Sequence, residues 1–193
     1  MRNEIIAWVD VETTGVDMIN SKLLEISCLV TDMAGNRMSE TVNHLFPVKN
    51  LDEVIHNDVN HYVRQMHYKS GLWKAMRKDK DRLKQTVSDI DEKLYEFLSE
   101  YVPDPDYKMV YLGGNSVTLD RNMVERDLPK FHSLFSHRNI DVTSIALMVQ
   151  NNDFPIMPYM KGGNHRSSGD IEDSAKEYRY YLSRLEDGFR QHD

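Results

Sequence analysis

With 193 residues, 40% of them hydrophobic, the chain has the size and apolar content of one globular domain, expected to span residues 1–193 without a linker. A net charge of −7 argues against a protein that grips long nucleic acid mainly through a basic surface, which needs many neutralised phosphates, yet admits a short anionic substrate where bound cations supply positive charge. The single cysteine, Cys28, excludes an internal disulfide. With no charged-then-apolar leader and no apolar run near the ~20 residues that cross a bilayer, a cytoplasmic protein without membrane contact is expected.

Ile5-Ile6-Ala7-Trp8-Val9 is a continuously apolar run, the pattern of a central strand buried on both faces. Side chains alternate along a strand, so Asp10 and Glu12 project from one face, with Gly15 closing the strand in a turn. Two acids sharing a half-buried face need a proton, a basic partner or a cation to relieve repulsion and desolvation. A divalent cation is the expectation. A second strand over residues 23–32 ends at Ala34-Gly35-Asn36, and a third over residues 37–46 is stopped by Pro47. Short turns between the three predict an antiparallel meander with Asp10 and Glu12 on an inner strand.

Residues 51–68 read as helix and loop. Their His56, His61 and His67 are spaced by five and six, which does not place them on one helical face as a zinc site would want. Residues 74–84 form the one basic run of the chain, read as a solvated face, with a phosphate contact as the alternative. Residues 86–101 carry Val87, Ile90, Leu94, Phe97, Leu98 and Tyr101 at helical spacing before Pro103. A short buried strand over 108–112 ends in Gly113-Gly114, a pair that lets backbone approach a ligand. The helix that follows has Val117, Val124 and Leu128 along one stripe, and Asp120 falls on that stripe. Residues 139–142 predict a last strand, leading through Thr143 or Ser144 into a helix over 145–150. Residues 151–160, with Pro155 and Pro158, read as a loop that continues through Lys161-Gly162-Gly163-Asn164-His165. Ser167-x-x-Asp170 then starts an amphipathic helix on Ile171, Ala175, Tyr178, Leu182 and Leu185.

Four carboxylates thus stand out, Asp10, Glu12, Asp120 and Asp170, with His165 five residues before the last. Hard oxygen donors without thiolate select Mg²⁺ or Mn²⁺. Two such ions about 3.5 to 4 Å apart can clamp the attacking and leaving oxygens of a phosphodiester displacement. An unperturbed histidine, with a pKa near 6.5, can accept the proton of the attacking water.

The order Asp10-Val11-Glu12, Asp120, then His165-Arg166-Ser167-Ser168-Gly169-Asp170 resembles the DEDDh family of 3′-to-5′ exonucleases. Within that family the chain is most similar to the oligoribonuclease group, through Trp8-Val9-Asp10-Val11-Glu12-Thr13-Thr14-Gly15, Leu24-Glu25-Ile26, Thr31-Asp32, His67-x-x-Ser70-Gly71-Leu72, Gly114-Asn115-Ser116, Asp141-Val142-Thr143 and Tyr178-Arg179-Tyr180-Tyr181. The resemblance implies an α/β, ribonuclease H-like fold with a mixed five-stranded sheet. It also implies a homodimer that degrades very short single-stranded RNA, down to dinucleotides, to nucleoside 5′-monophosphates. By position it assigns two divalent ions to Asp10, Glu12, Asp120 and Asp170, and the role of base to His165. Val16 and His67 fall where the family pinches the two bases; Ser116, Arg138 and Thr143 fall where it caps the 5′ phosphate. Three positions depart from the pattern: His137 stands where tyrosine is usual, Gly169 where an acid is common, and Val16 where leucine is usual. The alternative is a broader DEDDh exonuclease trimming longer single-stranded DNA or RNA, with the basic run extending its track. A catalytically silent binding module of the same fold is the reading from another class.

Overall fold

A computed structural model describes residues 4–102, 109–152, 156–160 and 166–190, with side chains to residue 187. The described residues form a five-stranded sheet in the order β3-β2-β1-β4-β5, with helices on both faces. Its strands are β1 (Ile5–Thr13), β2 (Leu23–Asp32), β3 (Val42–Leu45), β4 (Val110–Gly114) and β5 (Phe135–Asp141). The helices are α1 (Leu51–Asn57), α2 (His61–Lys69), α3 (Leu72–Lys78), α4 (Val87–Ser99), α5 (Thr118–Asp127), α6 (Pro129–Ser133), α7 (Val142–Gln150) and α8 (Ser167–Arg190). β1 pairs antiparallel with β2 and parallel with β4. The expected meander and mixed sheet are therefore what form, and β1 is the central strand.

Alternation along β1 divides the molecule. Ile5, Ala7, Val9 and Val11 join Ile90, Leu94 and Leu98 of α4 in one buried cluster, while Ile6 and Trp8 pack with Val142, Ile171 and Tyr181 on the other face. By the same parity Asp10 and Glu12 stand on the Trp8 face, beneath α8. A third cluster joins Leu24 to Leu51, Trp73 and Met76.

Several boundaries differ from the sequence expectation, for local reasons. The third strand shrinks to Val42–Leu45, with only an isolated bridge between Thr31 and Arg37 before it. Here the Ser39 hydroxyl, rather than a strand carbonyl, accepts the Val30 N–H at 2.9 Å, so the chain peels away from the ladder. The last strand begins at Phe135, ahead of the expected residue 139, and α7 begins at Val142 because Asp141 caps it through the Thr143 N–H at 3.0 Å. α4 starts where the periodicity put it, behind a capping box of Thr86 and Asp89.

One expectation about a special residue is corrected. A Cβ on Gly113 would lie 2.5 Å from Ile6 Cγ2 and 2.9 Å from Trp8 Cε3. That glycine lets β4 close against the β1 side chains, rather than admitting a ligand. In the basic run, Arg82 is buried and donates to the carbonyls of Met76 (2.8 Å), Phe46 (3.2 Å) and Val48 (2.9 Å). Arg77 pairs with Asp52 at 2.6 Å and Lys84 with Asp81 at 2.6 Å, and Lys74, Lys78 and Lys80 are exposed, so apart from Arg82 the run is the solvated face expected of it. Among the described residues, no helix is long and apolar enough to cross a membrane.

Candidate active site

Three elements converge where β1 passes under the start of α8. Asp10 and Glu12 come from β1 and Asp170 from the first turn of α8, and one carboxylate oxygen of each lies within 4.8 Å of the others. Glu12 is only 7% exposed. Asp120, on α5, is also buried, and its Oδ1 accepts the Val11 N–H at 2.9 Å. The acid on an apolar stripe thus turns inward to β1. It flanks the group of three without entering it.

The electrostatics follow from crowding acids in a poorly hydrated place. Burial first, then the charges of Asp120, Glu12, Asp170 and Glu25, push the Asp10 carboxyl well above the ordinary carboxylate range. Burial, then Glu25 and Asp170, push Glu12 up to about 8, with Arg166 opposing the rise. Burial raises Asp120 to about 6 against the pull of the Val11 amide. Carboxylates held this close and this dry are poorly satisfied by one another, and their donors are all hard oxygens. They fit a divalent cation such as Mg²⁺ or Mn²⁺. No group with three histidines occurs among the described residues.

Glu25 is the residue that sequence reasoning passed over. It pairs directly with Glu12 across the β1/β2 ladder and is fully buried. Its Oε2 accepts from Arg166 Nε at 3.0 Å, and its Oε1 accepts from Arg166 Nη2. Burial works to raise its pKa, but the Arg166 hydrogen bonds and charge win and hold it below the ordinary glutamate value. The available signal was an acid inside a β2 run that is otherwise almost wholly apolar or small, set opposite Glu12 by the register.

The remaining expected residues are placed as follows. Val16 is 79% exposed on a braced turn: Asp17 Oδ1 accepts the Ile19 N–H at 2.9 Å, and Arg126 donates to the carbonyls of Met18 (2.8 Å), Ile19 (2.9 Å) and Ser21 (2.7 Å). His67 is fully buried. Its Nε2 donates to the Thr13 carbonyl at 2.8 Å, its Nδ1 lies 3.6 Å from Glu12 Oε2, and its ring meets Trp73 edge-on. His67 thus stands at the end of β1, beside Glu12. Ser116, in the left-handed region at φ 55°, donates its N–H to Asp141 Oδ1 at 3.0 Å, and its hydroxyl lies 3.2 Å from that of Thr143. Asp141 therefore gathers the two hydroxyls. Arg138 and His137 are exposed on the edge strand β5. His165 lies outside the described residues.

Residues 7–178 match the family model described as Exonuclease. The chain is 33% identical over 190 residues to an oligoribonuclease of Nocardia farcinica (strain IFM 10152), covering 94% of this chain and 81% of that protein. It is 30% identical over 181 residues to the mitochondrial oligoribonuclease of Mus musculus, covering 92% of this chain and 72% of that one. Among solved structures, the zinc-bound form of an Escherichia coli exonuclease I complex with single-stranded DNA superposes with a TM-score of 0.63 at 10% identity. The match covers 98% of this chain and 43% of the exonuclease I chain, so that likeness bears on the fold alone.

Proposed function

The chain belongs to the Exonuclease family and, by its identity to curated relatives, to the oligoribonucleases, and from that premise we propose that it is a 3′-to-5′ exoribonuclease degrading very short RNA, down to dinucleotides, to nucleoside 5′-monophosphates. The observation that carries this reading is the convergence of Asp10, Glu12 and Asp170 within 4.8 Å. Asp10, Glu12, Asp170 and the flanking Asp120 would hold two divalent ions, Mg²⁺ or Mn²⁺. When bound, such ions supply Lewis-acid charge to the attacking and leaving oxygens of the phosphodiester.

The chain's own groups do the rest. His165 takes the proton of the attacking water, a task suited to an imidazole that titrates near neutrality. The gathered hydroxyls of Ser116 and Thr143 donate to a 5′ phosphate, and the Arg138 guanidinium supplies charge to it. Val16, held out on its braced turn, lies against a base, while His67 acts from behind by fixing the Thr13 carbonyl that leads into that turn. A cap on the 5′ phosphate limits substrate length. The net charge of −7 favours the same limit. We further assign the chain to a homodimer and to the cytoplasm, a setting that suits its lone, buried cysteine.

A length series of 5′-labelled single strands tests the proposal, with two-residue to twenty-residue RNA and DNA, and Mg²⁺ and Mn²⁺ in parallel. The expected result is fastest release of mononucleotides from the shortest RNA, abolished in Asp10→Asn. A strong preference for the longer strands would move the assignment to a broader trimming exonuclease. Unchanged turnover in Asp10→Asn would refute it.

A further inference from the structure

The start of α8 is tied to the sheet more heavily than a helix terminus needs. Glu25 grips the Arg166 guanidinium through both carboxylate oxygens and also accepts the Ser167 N–H at 3.3 Å. The Ser167 hydroxyl, itself fully buried, lies 2.7 Å from that of Ser27. Asn43 donates to both hydroxyls, at 2.8 Å to Ser27 and 3.3 Å to Ser167. The Arg166 carbonyl in turn accepts the Asp170 N–H at 3.0 Å. A continuous chain of bonds therefore runs from Glu25, whose cross-strand neighbour is Glu12, through Arg166 to the backbone of Asp170.

This arrangement answers a problem of selection. Glu25 stands beside Glu12 on the same sheet face and has the oxygen donors a hard cation would take. Both of its oxygens are already occupied by a planar, always charged guanidinium that matches them two for two. The result is one acid withheld from the group of three and one acid, Asp170, delivered to it.

Building on the metal-site reading above, we propose that Glu25 and Arg166 are positioning residues: together they seat Asp170 against Asp10 and Glu12, and so set divalent-cation affinity without ligating the cation. The chain binds its cation with these two residues as a fixed frame. The frame is a unit: without Arg166 the Glu25 charge is stranded in a fully buried place, and without Glu25 the partly exposed guanidinium loses the partner that seats it.

Mn²⁺ binding, read from the electron paramagnetic resonance signal of the free ion, tests this beside kcat and KM. Glu25→Gln and Arg166→Met are expected to weaken Mn²⁺ binding about 10- to 100-fold, the range typical of residues that orient metal ligands. Their KM for RNA stays near wild type, and kcat recovers at high Mn²⁺. Arg166→Lys falls between, keeping the charge and losing the two-pronged grip. The double variant Glu25→Gln/Arg166→Met removes both charges, so its melting temperature rises above that of the weaker single variant while its Mn²⁺ affinity stays low. Recovery of affinity along with stability in the double variant would reduce the pair to charge balance and overturn the inference. Affinity within twofold of wild type in the single variants, with binding abolished in Asp10→Asn, would also overturn it. Full binding in Asp10→Asn itself would instead bring down the metal-site reading on which it rests.

Discussion

Glu12→Gln is expected to make the metal-free protein more stable while removing its activity. In an unfolded chain this carboxyl loses its proton near 4.5, whereas in the fold burial and its acidic neighbours hold the proton up to about 8. Between those values the folded state keeps a proton that the unfolded state has lost. The contribution of Glu12 to stability is therefore whole below pH 4.5 and falls as pH rises through 8. At 1.36 kcal/mol per pH unit, that span sets a ceiling of about 5 kcal/mol on the cost above pH 8. Glutamine keeps the shape without the charge, so a gain of about 1–3 kcal/mol at pH 8.5 is expected once its imperfect hydrogen bonding is counted. For a chain of this length each kcal/mol moves the melting temperature by roughly 2–4 °C. Thermal melts in EDTA at pH 5 and pH 8.5, repeated with Mg²⁺ and Mn²⁺, check this. The variant should gain only at the higher pH. Added cation should raise wild type more than the variant, because stabilisation follows affinity for the folded state. A variant no more stable than wild type at pH 8.5, or a gain equal at both pH values, would refute the electrostatic account of the site.

Arg82→Met is expected to lower stability by roughly 2–4 kcal/mol, since three carbonyls lose a charged donor; kcat/KM on dinucleotide RNA, measured at a temperature where the variant stays folded, should remain near wild type. His165→Ala should slow kcat by about 10²- to 10⁴-fold while leaving Mn²⁺ affinity unchanged, which single-turnover rates and ion titration separate. Arg138→Gln should raise KM for a 5′-phosphorylated dinucleotide several-fold and leave a 5′-hydroxyl dinucleotide unaffected; equal effects on the two substrates would remove Arg138 from the phosphate.

Periodicity of two along residues 5–13 was enough to put Asp10 and Glu12 on one face, because that relation is local and fixed by the pleat. Apolar spacing along residues 86–101 was likewise enough to place α4, and its capping box emerged only in the fold. The sequence also carried the order of the acidic motifs and hence the family, since those motifs are short strings. Other features needed the packed chain. Asp170 lies far along the sequence from Asp10, and only the docking of α8 across β1 and β2 brings the two within 4.8 Å. Glu25 reads in isolation as one more acid; the β1/β2 register sets it opposite Glu12, and Arg166 determines that it serves as a frame. His67 reads as a polar residue on a helix, and the closure of Trp73 and the end of β1 around it decides that it is buried. The glycine at residue 113 looked suited to a ligand until the parallel pairing of β4 filled that space with Ile6 and Trp8. Local chemistry, which depends on neighbours within a few residues, was thus legible in the string. Burial and charge pairing between distant segments were settled by tertiary packing, because desolvation and Coulomb energies depend on what surrounds a group in space.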